Sequence, residues 1–165
     1  MNASVIDAFE FCRRKERREG EIVVADSSRL AEESVDRSGV IRWTLQGGSD
    51  SLGHPQMTLS VAGSMQLMCQ RCLTPFAFDM EGESVLILAQ DEGSADEIEA
   101  LLADESVEVI VGSKAFNVTE LVEDEALLAM PLSPKHGTCP AQLVSNASQD
   151  ALPASPFAVL KNLKQ

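Results

Sequence analysis

Two long runs of alternating apolar and polar residues flank a short turn near the middle of the chain, and they constrain the fold most strongly. Residues 57–68 alternate in this way, and after a turn of sequence CQRC the segment 75–89 begins with alternation at 76–81 and ends with the run VLILA (85–89), which suggests full burial. A period of two is typical of a β-strand with one buried face. We therefore predict two long antiparallel strands joined at CQRC. The apolar phase of the first strand comprises Met57, Leu59, Val61, Met65, Leu67 and Cys69.

Further strand and helix patterns surround this hairpin and predict an α+β domain. Residues 40–46 (VIRWTLQ) alternate like a strand, and VEVIV at 107–111 predicts another. The carboxylate-rich stretch 90–106 is interpreted as an exposed loop or a short solvated helix. A helix is expected over 117–130, with Asn117 as its N-cap. We expect a mainly antiparallel sheet or partly open barrel with an N-terminal helix, this central helix after the last strand, and a C-terminal helical tail.

The N-terminal stretch SVIDAFEFCRRKERREG, residues 4–20, predicts a helix that carries the densest basic cluster of the chain. Val5, Phe9 and Cys12 recur at helical spacing, and Gly20 is expected to close the helix. Two interpretations of the cluster stay open: compensation of the helix dipole on a solvated face, or contact with an anion such as RNA. The candidate RNA- or partner-binding residues are Arg13, Arg14, Lys15, Arg17 and Arg18, together with Arg71 in the CQRC turn.

The composition divides the chain into a domain, a linker and a tail. Residues 1–140 are expected to form a single α+β domain, and the polar stretch 141–154 a linker. SPFAVLKNLKQ at 155–165 predicts a helical tail, because Ser155 is a good N-cap and Pro156 is tolerated at the first helical position. The apolar edge of this tail comprises Phe157, Leu160 and Leu163.

The two cysteines of CQRC have a second pair of metal-ligand residues later in the chain. Cys69 and Cys72 would form one half, and His136 and Cys139 the other, of a closed Cys3His set of the kind that holds structural zinc. The halves lie much further apart than in common zinc ribbons, so only the fold can bring them together. The alternatives are a hairpin turn with two free thiols, and a redox pair. The flanking strands disfavour the redox pair, because thioredoxin-like pairs open a helix.

Charge and composition narrow the function. The 165-residue chain has a formal net charge of −13, so as a whole it repels nucleic acid and attracts basic partners. No set of nucleophile, base and orienting residue is recognisable in the sequence, so we expect no enzyme. The sequence shows no secretory signal, no long apolar span and no regular disulfide framework, and these features predict a reducing cytoplasm.

Three segments together resemble the YceD family, which is named for the accumulation of large-subunit ribosomal RNA. They are CQRCLTPF at 69–76, LVEDEALLAMPLSPKH at 121–136 followed by Cys139, and PFAVLKNLK at 156–164. The resemblance also covers the N-terminal helix and the stretch 20–30. It implies an antiparallel β domain with a few helices and a cytoplasmic role in ribosomal RNA synthesis or processing, and it carries over no catalytic residue.

We therefore expect a non-enzymatic ribosome-biogenesis factor. It would support the synthesis, processing or accumulation of large-subunit ribosomal RNA by binding precursor RNA, a basic ribosomal protein, or both. The alternative is an acidic interaction module that chaperones a basic ribosomal protein through residues 91–105 and 120–125 and carries a structural zinc site. Zinc is the one cofactor that the residues suggest, and neither a membrane nor a small-molecule substrate is expected as a partner.

Overall fold

The computed structural model of the protein describes residues 4–103 and 106–140, in which helices pack against a five-stranded sheet. The strands of this sheet, in spatial order, are β2 (Arg17–Val23), β3 (Gly39–Ser49), β4 (Pro55–Met68), β5 (Pro75–Ala89) and β6 (Glu108–Val111). A two-stranded sheet pairs β1 (Val5–Ile6) with β7 (Phe116–Asn117). The helices are α1 (Ala8–Arg13), α2 (Ser28–Glu33), α3 (Glu92–Leu101) and α4 (Val118–Ala129).

The β4–β5 hairpin forms the centre of the sheet, as the alternating pattern predicted. Its antiparallel register runs from the pair Gln56–Ile87 to the pair Met68–Pro75, so CQRC makes the connection. The whole apolar phase of β4, from Met57 to Cys69, is buried. Because α1 and α4 pack on this face, it forms the inner side of the sheet and contains the hydrophobic core.

The prediction of an α+β protein with a mainly antiparallel sheet is confirmed. The sheet is open, because its edge strands β2 and β6 are not paired with each other in the described part of the chain. Only β6 departs from the antiparallel order: it pairs with β5 in parallel. A parallel connection needs a crossover, which α3 provides. The helical interpretation of the acidic stretch is therefore correct, and Asp91 caps this helix by accepting the backbone N–H of Ser94.

The predicted helix over 4–20 is wrong at its N-terminal end. Val5 belongs to β1, whose pairing with β7 gives its backbone groups partners outside any helix. The helix α1 starts after Asp7, whose carboxylate accepts the backbone N–H of Glu10 and caps the first turn. Val5 itself is exposed, whereas its neighbour Ile6 is buried, so the helical spacing of Val5 with later apolar residues does not mark a buried face.

The same prediction is also wrong at its C-terminal end. Lys15 adopts a left-handed conformation (φ 53°) that turns the chain out of α1 and into β2. Gly20 does not close a helix but lies in β2 opposite Trp43. A Cβ atom at this position would lie 2.8 Å from the Trp43 ring, so the glycine makes room for the indole. Pairing along the whole of β2 with β3 outweighs the helical pattern of this stretch.

Helix α4 follows the prediction closely and directs the chain towards the CQRC turn. The Asn117 side chain accepts the backbone N–H groups of Thr119 and Glu120, which caps the helix. The residues Val118, Val122 and Ala126 are buried on the sheet. The helix ends at Ala129, and the segment 130–140 continues to the tip of the β4–β5 hairpin.

The predicted linker (141–154) and helical tail (155–165) lie outside the described residues. The division of the chain into one domain, a linker and a tail therefore stays a prediction. No helix in the described ranges is long and apolar enough to cross a membrane.

Candidate metal centre

The CQRC connection is a tight turn that directs two thiols towards one point. The Cys69 N–H donates to the Thr74 carbonyl (3.0 Å), and the Leu73 N–H donates to the Cys69 carbonyl (2.9 Å). Leu73 adopts a left-handed conformation (φ 56°), which lets the chain reverse direction within the turn. Cys69 is fully buried because it continues the inner phase of β4, whereas Cys72 is half-buried.

The segment that follows α4 is attached to this turn by hydrogen bonds. The Gln70 N–H donates to the Pro134 carbonyl (2.8 Å), and the His136 N–H donates to the Cys69 Sγ (3.5 Å). The His136 ring also packs against Phe76, with 4.8 Å between the ring centroids. These contacts hold the second pair of candidate ligands beside the first, although the two pairs are far apart in sequence.

The ligand atoms of Cys69, Cys72, His136 and Cys139, here called the Cys3His cluster, all lie within 4.8 Å of one another. The distance between the Cys69 and Cys139 sulfurs is 3.8 Å, and the Cys72 Sγ lies 3.3 Å from the His136 Nδ1. Two sulfurs bound tetrahedrally at about 2.3 Å from zinc are about 3.8 Å apart. All four cysteines of the chain are free thiols, so no disulfide competes for these sulfurs.

The cluster favours a bound cation electrostatically. Burial opposes ionisation of Cys69, but the backbone N–H groups of Cys72, His136 and Arg71 donate to its sulfur and lower the pKa to about 5. Burial and the neighbouring thiols Cys69 and Cys72 raise the pKa of Cys139. A divalent cation bound between the Cys69 thiolate and the Cys139 thiol would favour the ionised form of both sulfurs.

The structure does not unite the six candidate RNA- or partner-binding residues on one surface. Arg13 and Arg14 form ion pairs with Glu10, at 2.5 and 2.6 Å, and Arg17 forms one with Glu19, at 3.4 Å. Lys15 is exposed in the turn after α1, and Arg18 is half-buried on β2. Much of the basic cluster is thus neutralised by carboxylates of the same stretch.

Arg71 lies at the opposite end of the sheet from this basic stretch. Arg17 lies beside Gln46, and Gln46 pairs with Thr58 on β4. From Thr58 to Met68, which precedes the CQRC turn, the strand extends for about 33 Å at 3.3 Å per residue. Arg71 therefore belongs to the cluster end of the sheet, and the remaining basic candidates belong to the other end.

The outer face of the sheet carries an acidic surface that the sequence analysis did not single out. The outward phases of β2 and β5 are rich in carboxylates, and the intervening outward side chains of β3 and β4 are mostly short and polar. In the sequence, this surface is indicated by the acidic residues that alternate with other residues in the stretch FDMEGES, residues 78–84. The acidic surface comprises Glu19, Glu21, Asp79, Glu81 and Glu83, with the guanidinium groups of Arg17 and Arg42 on the same side.

His54 and Cys12, the histidine and the cysteine outside the Cys3His cluster, have local partners. The His54 Nδ1 lies 2.7 Å from the Asp50 Oδ2, and Asp50 also accepts the backbone N–H of Leu52 within the same turn. The Cys12 Sγ donates to the Gln56 carbonyl (3.2 Å), and burial raises the pKa of this thiol. Both residues thus stabilise the region around the β3–β4 connection.

The fold and the Cys3His cluster define a class of small α+β protein in which a metal-ligand set joins the tip of the central hairpin to the chain after the last helix. The family described as "Large ribosomal RNA subunit accumulation protein YceD" matches residues 57–164, a range that includes both halves of the cluster. The chain belongs to the YceD family, and the resemblance seen in the sequence is confirmed. Comparison with curated proteins and with solved structures gave no significant match.

Proposed function

We propose that this protein is a non-enzymatic ribosome-biogenesis factor of the cytoplasm that supports the accumulation of large-subunit ribosomal RNA by binding a basic ribosomal protein. The description of its family supports the link to this RNA. The acidic surface on the outer face of the sheet is the observation that supports a basic protein as the partner. A partner rich in lysine and arginine would be attracted to this surface, whereas naked RNA would be repelled.

The distribution of charge supports a protein partner over RNA. The chain has a net charge of −13, and the ion pairs of Arg13, Arg14 and Arg17 place carboxylates beside the basic side chains. RNA would have to compete with these carboxylates for each guanidinium group, which weakens the counterion-release term that drives most RNA binding. On the acidic surface the five carboxylates outnumber the guanidinium groups of Arg17 and Arg42, so a basic ribosomal protein meets less competition there.

The proposed role of the Cys3His cluster is structural. Four protein ligands make a closed zinc site, which leaves no open position for water or substrate. Zinc bound by these residues would fix segment 130–140 to the hairpin tip and so hold the end of α4 in place. This arrangement supports a binding protein rather than a metal-dependent hydrolase.

The decisive experiment reverses the charge of the acidic surface in the cells of the native host. Glu19→Lys, Glu81→Lys and Glu83→Lys are combined, and the full-length variant is cross-linked to its partners in parallel with the wild type. We expect capture of a basic ribosomal protein and the level of large-subunit ribosomal RNA to fall together. A matched triple variant on α3, with Glu92, Asp96 and Glu97 changed to lysine, makes the same change in net charge and should retain both. If the sheet variant retains both as well, the proposal is wrong.

Direct binding of precursor RNA is the second candidate, because Arg13, Arg14, Lys15 and Arg17 are exposed on one edge of the sheet. Under this hypothesis, charge reversal at Arg13, Arg14, Arg17 and Arg18 weakens ultraviolet cross-linking to RNA without unfolding the domain, and affinity falls as salt rises. Arg71→Glu tests the other end of the sheet by the same cross-linking assay. Charge reversal of the exposed Arg37, in the turn before β3, is the control for this single substitution. Unchanged cross-linking in the quadruple variant would show that the basic cluster is a solvated surface that does not bind RNA.

A further inference from the structure

An open groove of about 640 Å³ lies between α4 and the edge strand β6. Its floor includes Leu86 of the inner face, and Glu108 and Ile110 lie on the same phase of the sheet because they pair beside Leu86 and Leu88. α4 covers β4 and β5 but leaves this side of β6 uncovered. The groove is therefore the part of the inner face that the described residues do not fill.

The groove combines apolar walls with an acidic rim. Leu128 is 78% exposed, although it lines the groove beside the half-buried Leu121 and Ile110. Exposed aliphatic side chains around one concave surface are typical of a site that another segment covers. The rim carries the carboxylates Glu108, Glu120, Asp124 and Glu125, against one guanidinium group, that of Arg29.

We infer that residues 155–165 of this chain, here called the tail, dock in this groove as a short amphipathic helix. The tail offers Phe157, Leu160 and Leu163 at helical spacing, which complements the aliphatic side chains that line the groove. It carries Lys161 and Lys164 and no carboxylate side chain, so its charge is opposite to that of the rim. The family match extends to residue 164, so the tail and the groove-lining residues belong to the same family pattern.

The connection between the domain and the tail is long enough for this docking. Cys139 is held at the hairpin tip, close to the end of α4. The groove follows α4, whose 12 residues extend over about 18 Å. The residues between 140 and 155 can span up to about 50 Å when extended. The tail can therefore reach every part of the groove of its own chain.

Docking of the tail is independent of the partner proposed above. The groove lies on the inner, helical side of the sheet, whereas the acidic surface lies on the outer side. A basic ribosomal protein could therefore bind one face while the tail occupies the other. The docked tail would also cover apolar side chains that would otherwise remain open to unrelated proteins.

Photo-cross-linking of the full chain tests the inference. Leu128 is replaced by p-benzoyl-phenylalanine, and the cross-linked peptides are identified by mass spectrometry in a mixture of isotopically heavy and light chains. We expect cross-links from position 128 to residues 155–165 within the same chain. Leu52, which is 58% exposed in the β3–β4 connection, is the control position and should give few such links. Links from position 128 to a second copy or to another protein, or none to the tail, would overturn the inference.

Variants of the tail distinguish a specific contact from chance proximity. Phe157→Ala removes the largest apolar group of the tail, and we expect the intrachain cross-link yield to fall about tenfold, because the docked tail loses much of the apolar surface that it would bury. Asn162→Ala, on the opposite side of the tail, should leave the yield unchanged. Lys161→Glu with Lys164→Glu should lower the yield, and Glu120→Lys in the same chain should partly restore it. Equal yields for all of these variants would also overturn the inference.

Discussion

We predict that the Cys3His cluster binds zinc and that removing the ion destabilises the domain by an amount that follows from the loop the ion closes. A zinc ion held by this cluster closes a loop between Cys69 and His136, which are 67 residues apart. For a cross-link that closes a loop of this length, chain entropy contributes about 4 kcal/mol to the free energy of unfolding. With a change of about 3 °C per kcal/mol for a domain of this size, the melting temperature should fall by roughly 12 °C.

Differential scanning fluorimetry of the full chain, with and without a chelator, measures this change. Elemental analysis of protein purified without chelator should give about one zinc per chain. Cys139→Ser should melt at a lower temperature than the wild type and should no longer respond to the chelator, because one ligand is lost. Cys12→Ala removes the thiol outside the cluster, so this variant should keep the full response whatever its own stability.

Wild-type protein that contains less than about a tenth of an equivalent of zinc and shows no thermal shift when zinc is added would contradict this prediction. CQRC would then be a hairpin turn with two free thiols beside a histidine. A chelator response that persists in Cys139→Ser would instead place the metal elsewhere in the chain.

Three further predictions concern packing, capping and thiol reactivity. Gly63→Ala should lower the free energy of unfolding by about 1–3 kcal/mol in urea titrations, because its Cβ would lie 2.4 Å from the Val40 carbonyl oxygen on β3; a change below about 0.5 kcal/mol would contradict this packing. Asn117→Ala should cost about 1 kcal/mol in the same assay, since the capping bonds at the start of α4 are lost, whereas Asn117→Asp should retain most of them. After zinc removal, iodoacetamide should label the half-buried Cys72 and spare the buried Cys12, because the reagent needs access to the sulfur and burial raises the pKa of Cys12. Rapid labelling of Cys12, read by mass spectrometry, would show that its site opens.

The sequence pattern was sufficient to predict a strand or helix where that element buries a long, regular face. β4 alternates along its length and β5 along its first two thirds, so a period of two could not be confused with that of a helix. α4 combines an N-cap with a buried stripe, and both signals agree. The stretch 4–20 failed because β1, α1 and β2 follow one another within 20 residues. Each of these elements is too short to display a period, and pairing with distant strands decides its structure.

The residues of the Cys3His cluster could be named from their types, but their meeting could not be derived from their spacing. It depends on α4 lying along the hairpin and on the bond between Gln70 and Pro134, which are properties of the assembled fold. The separation of Arg71 from the other basic candidates depends in the same way on the length of β4. The acidic surface, by contrast, was readable in principle, because Asp79, Glu81 and Glu83 alternate along one strand and only the polarity of that phase needed to be considered.

The metal centre and the docked tail can be tested separately, although segment 130–140 connects α4 to both. If the chelator releases this segment, the unattached part of the connection to the tail grows from about 14 to about 25 residues. The additional loop-closure entropy then opposes docking by only about 0.5 kcal/mol, which lowers the docking equilibrium constant about twofold. Docking should therefore survive zinc removal, provided that α4 and β6 stay folded. A cross-link from position 128 that weakens about twofold on chelation fits this account. Its complete loss while the sheet remains folded would mean that the cluster also orders the groove.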